Sequence, residues 1–102
     1  MAVVQIEEKD FDSIIKAGQP VLVDFFATWC GPCKMLSPVV DQLSEEIPDV
    51  KFVKVDVDEA QELAGRYNVM SIPTLAFFKN GELANTIVGV QPKGVIESML
   101  KA

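Results

Sequence analysis

The chain has 102 residues, 49% hydrophobic and 24% charged, a length and balance that fit one compact domain over 1–102 able to bury about two-thirds of its unfolded surface. Its formal net charge of −6, from 9 basic and 15 acidic residues, argues against a nucleic-acid backbone or an anionic membrane as partner. No apolar run is long enough to span a bilayer, and the N-terminus lacks the basic start and long apolar core of a signal peptide, so a reducing, cytoplasmic compartment is expected.

The elements alternate along the chain, with no repeat or low-complexity segment. Residues 3–6 read as a short strand, and Asp10 as the cap of a helix whose Phe11, Ile14 and Ile15 form an apolar stripe ending at Gly18. Residues 21–27 form an apolar strand interrupted only by Asp24. A helix over 31–47 places Leu36, Val40, Leu43 and Ile47 on one side, with Pro38 expected to kink it. Residues 51–57 are the next strand, and Asp58 with Gln61 resembles a capping box for a helix through about Tyr67. After the Ser71-Ile72-Pro73 turn, strands over 75–79 and 83–88 are joined by Asn80-Gly81, a pair that tolerates the positive φ of a tight hairpin. Pro92 then opens a last helix carrying Val95, Ile96, Met99 and Leu100. Strand-helix-strand-helix-strand at the front implies parallel pairing through right-handed crossovers, and the closing hairpin must be antiparallel. The expected fold class is α/β, a mixed sheet with helices on both faces.

Both cysteines lie in Trp29-Cys30-Gly31-Pro32-Cys33, between the strand over 21–27 and the helix that follows it. On a first helical turn, residues i and i+3 share a face with Cβ atoms roughly 5–6 Å apart, close enough for a disulfide to open and close without refolding. The first cysteine faces unpaired backbone N–H groups and the positive end of the helix dipole, which favour thiolate over thiol. Cys30 is therefore the expected nucleophile, and Pro32 suits a first turn whose N–H groups lack intrahelical partners anyway. Three blander readings are weaker. A zinc or iron–sulfur site needs further ligands, and the chain has no His and no third Cys. A purely structural disulfide would close a very small loop and remove little unfolded-state entropy. Two inert core thiols would not need Gly31 and Pro32 between them.

Asp24, the Trp29 to Cys33 motif, Pro38, Lys54, Ser71-Ile72-Pro73-Thr74, Gly81 and Gly89 occur in the order and spacing of one family. By these motifs the chain resembles the thioredoxin family along almost its whole length. The resemblance implies a thioredoxin fold, a central five-stranded mixed sheet flanked by four helices. It implies reduction of protein disulfides, with thioredoxin reductase as electron donor, a monomer, and no cofactor or metal held by the chain itself. It also implies a cis Ile72-Pro73 bond facing Cys30. A non-catalytic subunit of a larger complex could use the same fold, and turnover is what separates the two.

In the implied chemistry Cys30 attacks a substrate disulfide and Cys33 resolves the mixed disulfide, which requires Cys33 to lose its proton. Asp24 is either the base for that step, its affinity for protons raised by burial, or a carboxylate ion-paired with Lys54 on the neighbouring strand. The resemblance favours the base, with Lys54 in support. Trp29, Gly31, Pro32, Ile72, Pro73 and Gly89 are expected to form a shallow apolar surface suited to an extended peptide. Gly89 and Gly94 have the spacing of a phosphate loop, but Val95 stands where lysine is required. Asp56-Val57-Asp58 starts like a calcium loop without its later ligands, so helix capping is the simpler expectation. Met35, Met70 and Met99 are expected to pack in the core.

Overall fold

The computed structural model describes residues 3–102; the first two residues of the expected 1–102 domain lie outside that range. Five strands and four helices follow in order: β1 Val3–Gln5, α1 Phe11–Ile15, β2 Val21–Phe26, α2 Gly31–Glu46, β3 Lys51–Asp56, α3 Gln61–Arg66, β4 Thr74–Lys79, β5 Glu82–Val88 and α4 Lys93–Lys101. The strands form one sheet in the order β1-β3-β2-β4-β5. β3 pairs in parallel with both β1 and β2, whereas β4 pairs antiparallel with β2 and with β5. The mixed sheet expected from the element order is therefore present, with β2 at its centre.

Period-2 alternation sorts the strand side chains onto two cores. Val21, Val23 and Phe25 of β2 join Val53, Val55, Ala76 and Phe78 under α1 and α3. Leu22 joins Phe52, Leu75 and Phe77 under α2 and α4, which supply Leu36, Val40, Leu43, Ile96, Met99 and Leu100. Asp24 shares the parity of Leu22, so it falls on the α2 and α4 side, opposite Lys54 in the β2–β3 register. On the other face Phe11, Tyr67 and Phe78 stack mainly edge-on, with ring centroids 5.2–5.5 Å apart. Asn80 and Gly81 both take positive φ, 56° and 80°, as a tight hairpin of primed type requires. A bulge follows, because Phe77 and Phe78 oppose Asn85 and Leu83 and leave Ala84 without a partner.

Four expectations are corrected. Asp10 occupies the position before α1 but makes no side-chain cap: a 3-10 turn over Glu8–Asp10 already gives it helical φ and ψ of −94° and −8°, and a capping side chain needs extended backbone. Asp58 and Gln61 form no capping box, since α3 starts after Ala60 with no side-chain cap on that residue. Instead Glu8, 55 residues earlier, accepts the Leu63 N–H at 3.0 Å and satisfies an amide of the first turn of α3. On α4, Ile96, Met99 and Leu100 are buried but Val95 is exposed. Met35 and Met70 do not pack in the core either; both stand in solvent.

Candidate active site

The central strand β2 ends at Phe26, and a four-residue link, Ala27 to Cys30, delivers the chain to α2. The Cys30 N–H donates to the Ala27 carbonyl at 3.2 Å, and the Lys34 N–H donates to the Cys30 carbonyl at 3.3 Å. Cys30 is thus the N-cap of α2, with extended φ and ψ of −89° and 110°. Its Sγ takes the role that a serine or aspartate oxygen plays in an ordinary cap, accepting the Cys33 N–H at 3.1 Å. Cys30 and Cys33 are joined as a disulfide with Cα atoms 5.3 Å apart, and both residues are largely buried. Gly31 and Pro32 are exposed beside them. A Cβ on Gly31 would meet nothing within 4 Å, so glycine here relieves no internal crowding.

The turn before β4 meets the pair from the other side. Ile72 packs on the cluster of Ala27, Cys30 and Cys33, and its carbonyl oxygen lies 4.0 Å from Cys30 Sγ. The Ile72–Pro73 bond is cis. Thr74 Oγ1 donates to the Ser71 carbonyl at 2.6 Å, and the Gly89 N–H donates to the Pro73 carbonyl at 2.8 Å, tying the turn to the end of β5. Gly89 has φ of +87°, a conformation that side chains with a Cβ rarely adopt. Ile72 and Gly89 are half-buried, whereas Pro73 is buried beneath the turn.

Trp29 is 68% exposed, and its indole is nonetheless fixed, because Nε1 donates to Asp58 Oδ2 at 2.7 Å. Asp58 is itself set by Asp56, whose Oδ1 accepts the Asp58 N–H at 2.9 Å. Asp58 is the residue that sequence reasoning assigned to a helix cap. The Asp-x-Asp spacing was its only signal, and an indole donor 29 positions away decides where the carboxylate points.

Beneath Cys33 lies a cavity of about 250 Å³ whose walls include Asp24, Phe26, Ser37 and Lys54. Asp24 is 6% exposed, and among the described residues its Oδ1 has no hydrogen-bond partner. Burial pushes its carboxyl up to about 6; the positive charge of Lys54 pulls the other way, and Asp41 adds to the rise. The ion-pair alternative is not realised. Among the described residues no ion pair joins Lys54 to Asp24, and the Lys54 ammonium sits 5.3 Å from the Phe26 ring centroid. An unpartnered carboxylate, a lysine and the second cysteine thus share one wet-sized space. A separate depression of about 570 Å³, lined by Ile6, Glu7, Glu8, Lys9, Asp56 and Glu59, contains neither cysteine. Among the described residues no helix is long and apolar enough to cross a membrane.

Comparisons with known proteins agree with this geometry. The family model described as Thioredoxin matches residues 2–102. A thioredoxin of Bacillus subtilis (strain 168) is 48% identical over 101 residues, covering 98% of this chain and 96% of the relative. A thioredoxin of Porphyra purpurea is 46% identical over 102 residues, covering 98% and 95%. Among solved structures, a mutant thioredoxin from Halobacterium salinarum NRC-1 superposes with a TM-score of 0.91 at 38% identity, covering 97% of this chain and 88% of that one.

Proposed function

We propose a division of labour within a chain that belongs to the thioredoxin family and is, by that membership and its Cys30–Cys33 pair, a thiol-disulfide oxidoreductase that reduces protein disulfides. Cys30 is the attacking thiolate. The observation that carries this assignment is the Cys33 N–H donated to Cys30 Sγ at 3.1 Å, because a charged acceptor gains more from a fixed donor at a helix N-terminus than a neutral one does. Cys30 attacks one sulfur of the substrate disulfide, the other leaves as a thiolate, and a mixed disulfide remains. Cys33 then loses its proton and attacks Cys30 Sγ, releasing the second substrate thiolate and forming the Cys30–Cys33 disulfide.

Asp24 takes the Cys33 proton through the shared cavity. A carboxyl held near 6 accepts a proton and returns it close to neutral pH, where one at the usual carboxylate value would rarely be protonated. Lys54, poised over Phe26, limits that rise without quenching it by a direct pair. Trp29, Gly31, Pro32, Ile72 and Gly89 form the docking surface, with the Ile72 backbone beside Cys30 to pair with an extended peptide; Pro73, expected on that surface, is buried and supports it from below. Thioredoxin reductase recharges the disulfide. Residues 1–102 act as one domain, as a monomer and in the cytoplasm.

Reduction of insulin by the purified protein with NADPH and thioredoxin reductase tests this reading. Sustained turnover supports it; binding without turnover would identify a non-catalytic module instead.

A further inference from the structure

A single exposed apolar side chain on a protein surface needs no explanation. Met70, 84% exposed, is set apart by what it borders. It joins Trp29, Val57, Val69, Ser71 and Ile72 around a cavity of about 190 Å³. Val57 and Ile72 also pack on the cluster that holds Cys30 and Cys33. The cavity and the redox pair therefore share a wall, and a peptide whose disulfide reaches Cys30 brings the residue beside its half-cystine to Met70. Trp29, in the same lining, is tied to Asp58. Met70 is the movable part of the lining, an unbranched thioether able to repack around different side chains.

We infer that Met70 is a peroxide-sensitive site that sets affinity for protein disulfides, its sulfoxide weakening docking while the dithiol chemistry continues. The inference rests on the docking surface proposed above. The Met70 sulfur attacks one oxygen of hydrogen peroxide; the O–O bond breaks, an S–O bond forms, and the second oxygen leaves as water after proton transfer. Sulfur is oxidised by two electrons and the peroxide is reduced. In the disulfide form Cys30 and Cys33 offer no thiolate to compete for the oxidant. A sulfoxide turns an apolar wall polar, and an entering side chain must strip its water. Trp29 Nε1 is already committed to Asp58, so Ser71 is the one lining hydroxyl left to replace that hydration.

The test treats the disulfide form with hydrogen peroxide, removes the peroxide, locates modified methionines by peptide mass spectrometry, and measures reduction of insulin and of a small aromatic disulfide with dithiothreitol as reductant. Met70 and the exposed Met35 should convert before the buried Met99. KM for insulin should rise roughly fivefold or more, the low end of what burying an unpaired polar group costs, while kcat and the rate with the small disulfide hold. In Met70→Leu, whatever its starting KM, peroxide should leave KM where it was; Met35→Leu should stay sensitive. Met70 sulfoxide with an unchanged KM would overturn the inference, as would an equal peroxide effect in Met70→Leu. Untreated protein that reduces neither disulfide would remove the proposed function itself, whereas active untreated protein with a peroxide-insensitive KM removes only this inference.

Discussion

Replacing Asp24 by asparagine should stabilise the fold at neutral pH, and the size of the effect follows from the carboxyl's surroundings. Asp24 is 6% exposed and is pushed up to about 6, chiefly by burial. In the unfolded chain an aspartate titrates near 3.9, so the two states differ by about 2 units, or about 3 kcal/mol once both are ionised. Below about pH 4 the group is neutral in both states and there is no penalty. Between about 4 and 6 the unfolded chain releases the proton while the folded one keeps it, so stability falls as pH rises; above about 6 the penalty is fully present. Asparagine removes the charge but adds two buried N–H donors, and leaving one unsatisfied costs about 1–3 kcal/mol. The net gain at pH 8 should therefore reach at most about 2 kcal/mol, which at a urea slope of about 2 kcal/mol per M moves the midpoint up by no more than about 1 M. Urea unfolding of the disulfide form of both proteins at pH 8 and pH 3.5 measures it. The amide's own cost is the same at both pH values, so the change in the stability difference isolates the charge. A difference that does not vary with pH would refute the buried-charge argument, whatever its sign.

The cap that Glu8 places on α3 predicts that Glu8→Ala lowers stability by about 1 kcal/mol, read from the urea midpoint, with hydrogen exchange accelerating first at the amides of α3. Because Trp29 is the chain's one tryptophan and adjoins Cys30, reducing the disulfide should brighten its fluorescence; no change would separate the indole from the sulfurs. Asp58→Ala should free the indole, lowering its fluorescence anisotropy and raising KM for insulin with kcat retained, while Asp58→Asn, which keeps an acceptor oxygen, should lie between.

The sheet, the two-sided helix cover and the position of the cysteines were legible because each rests on a short-range rule. The continuous apolar run of β2, the glycine and proline after Cys30, and Asn80-Gly81 state their conformations locally. Asp24 stood out because it breaks such a run. What was not legible depends on competition between partners far apart in sequence. Asp10 looked like a cap until the preceding turn took its backbone into helical angles. Asp58 and Gln61 had the spacing of a capping box, yet the Trp29 indole holds the Asp58 carboxylate and Glu8 serves the helix instead. Lys54 had the register to pair with Asp24 but rests over Phe26. Met35 and Met70 are apolar by composition and exposed by position, a distinction that hydropathy does not make.

The central claim is that attack and resolution belong to different sulfurs, and trapping the mixed disulfide tests it most directly. Cys33→Ser and Cys30→Ser proteins are incubated with a disulfide substrate and examined by mass spectrometry without reductant. The Cys33→Ser protein should accumulate a substrate adduct on Cys30, whose Sγ keeps the donor at position 33, and the Cys30→Ser protein should form none. An adduct on Cys33 in the Cys30→Ser protein, with none on Cys30 in the other, would reverse the assignment.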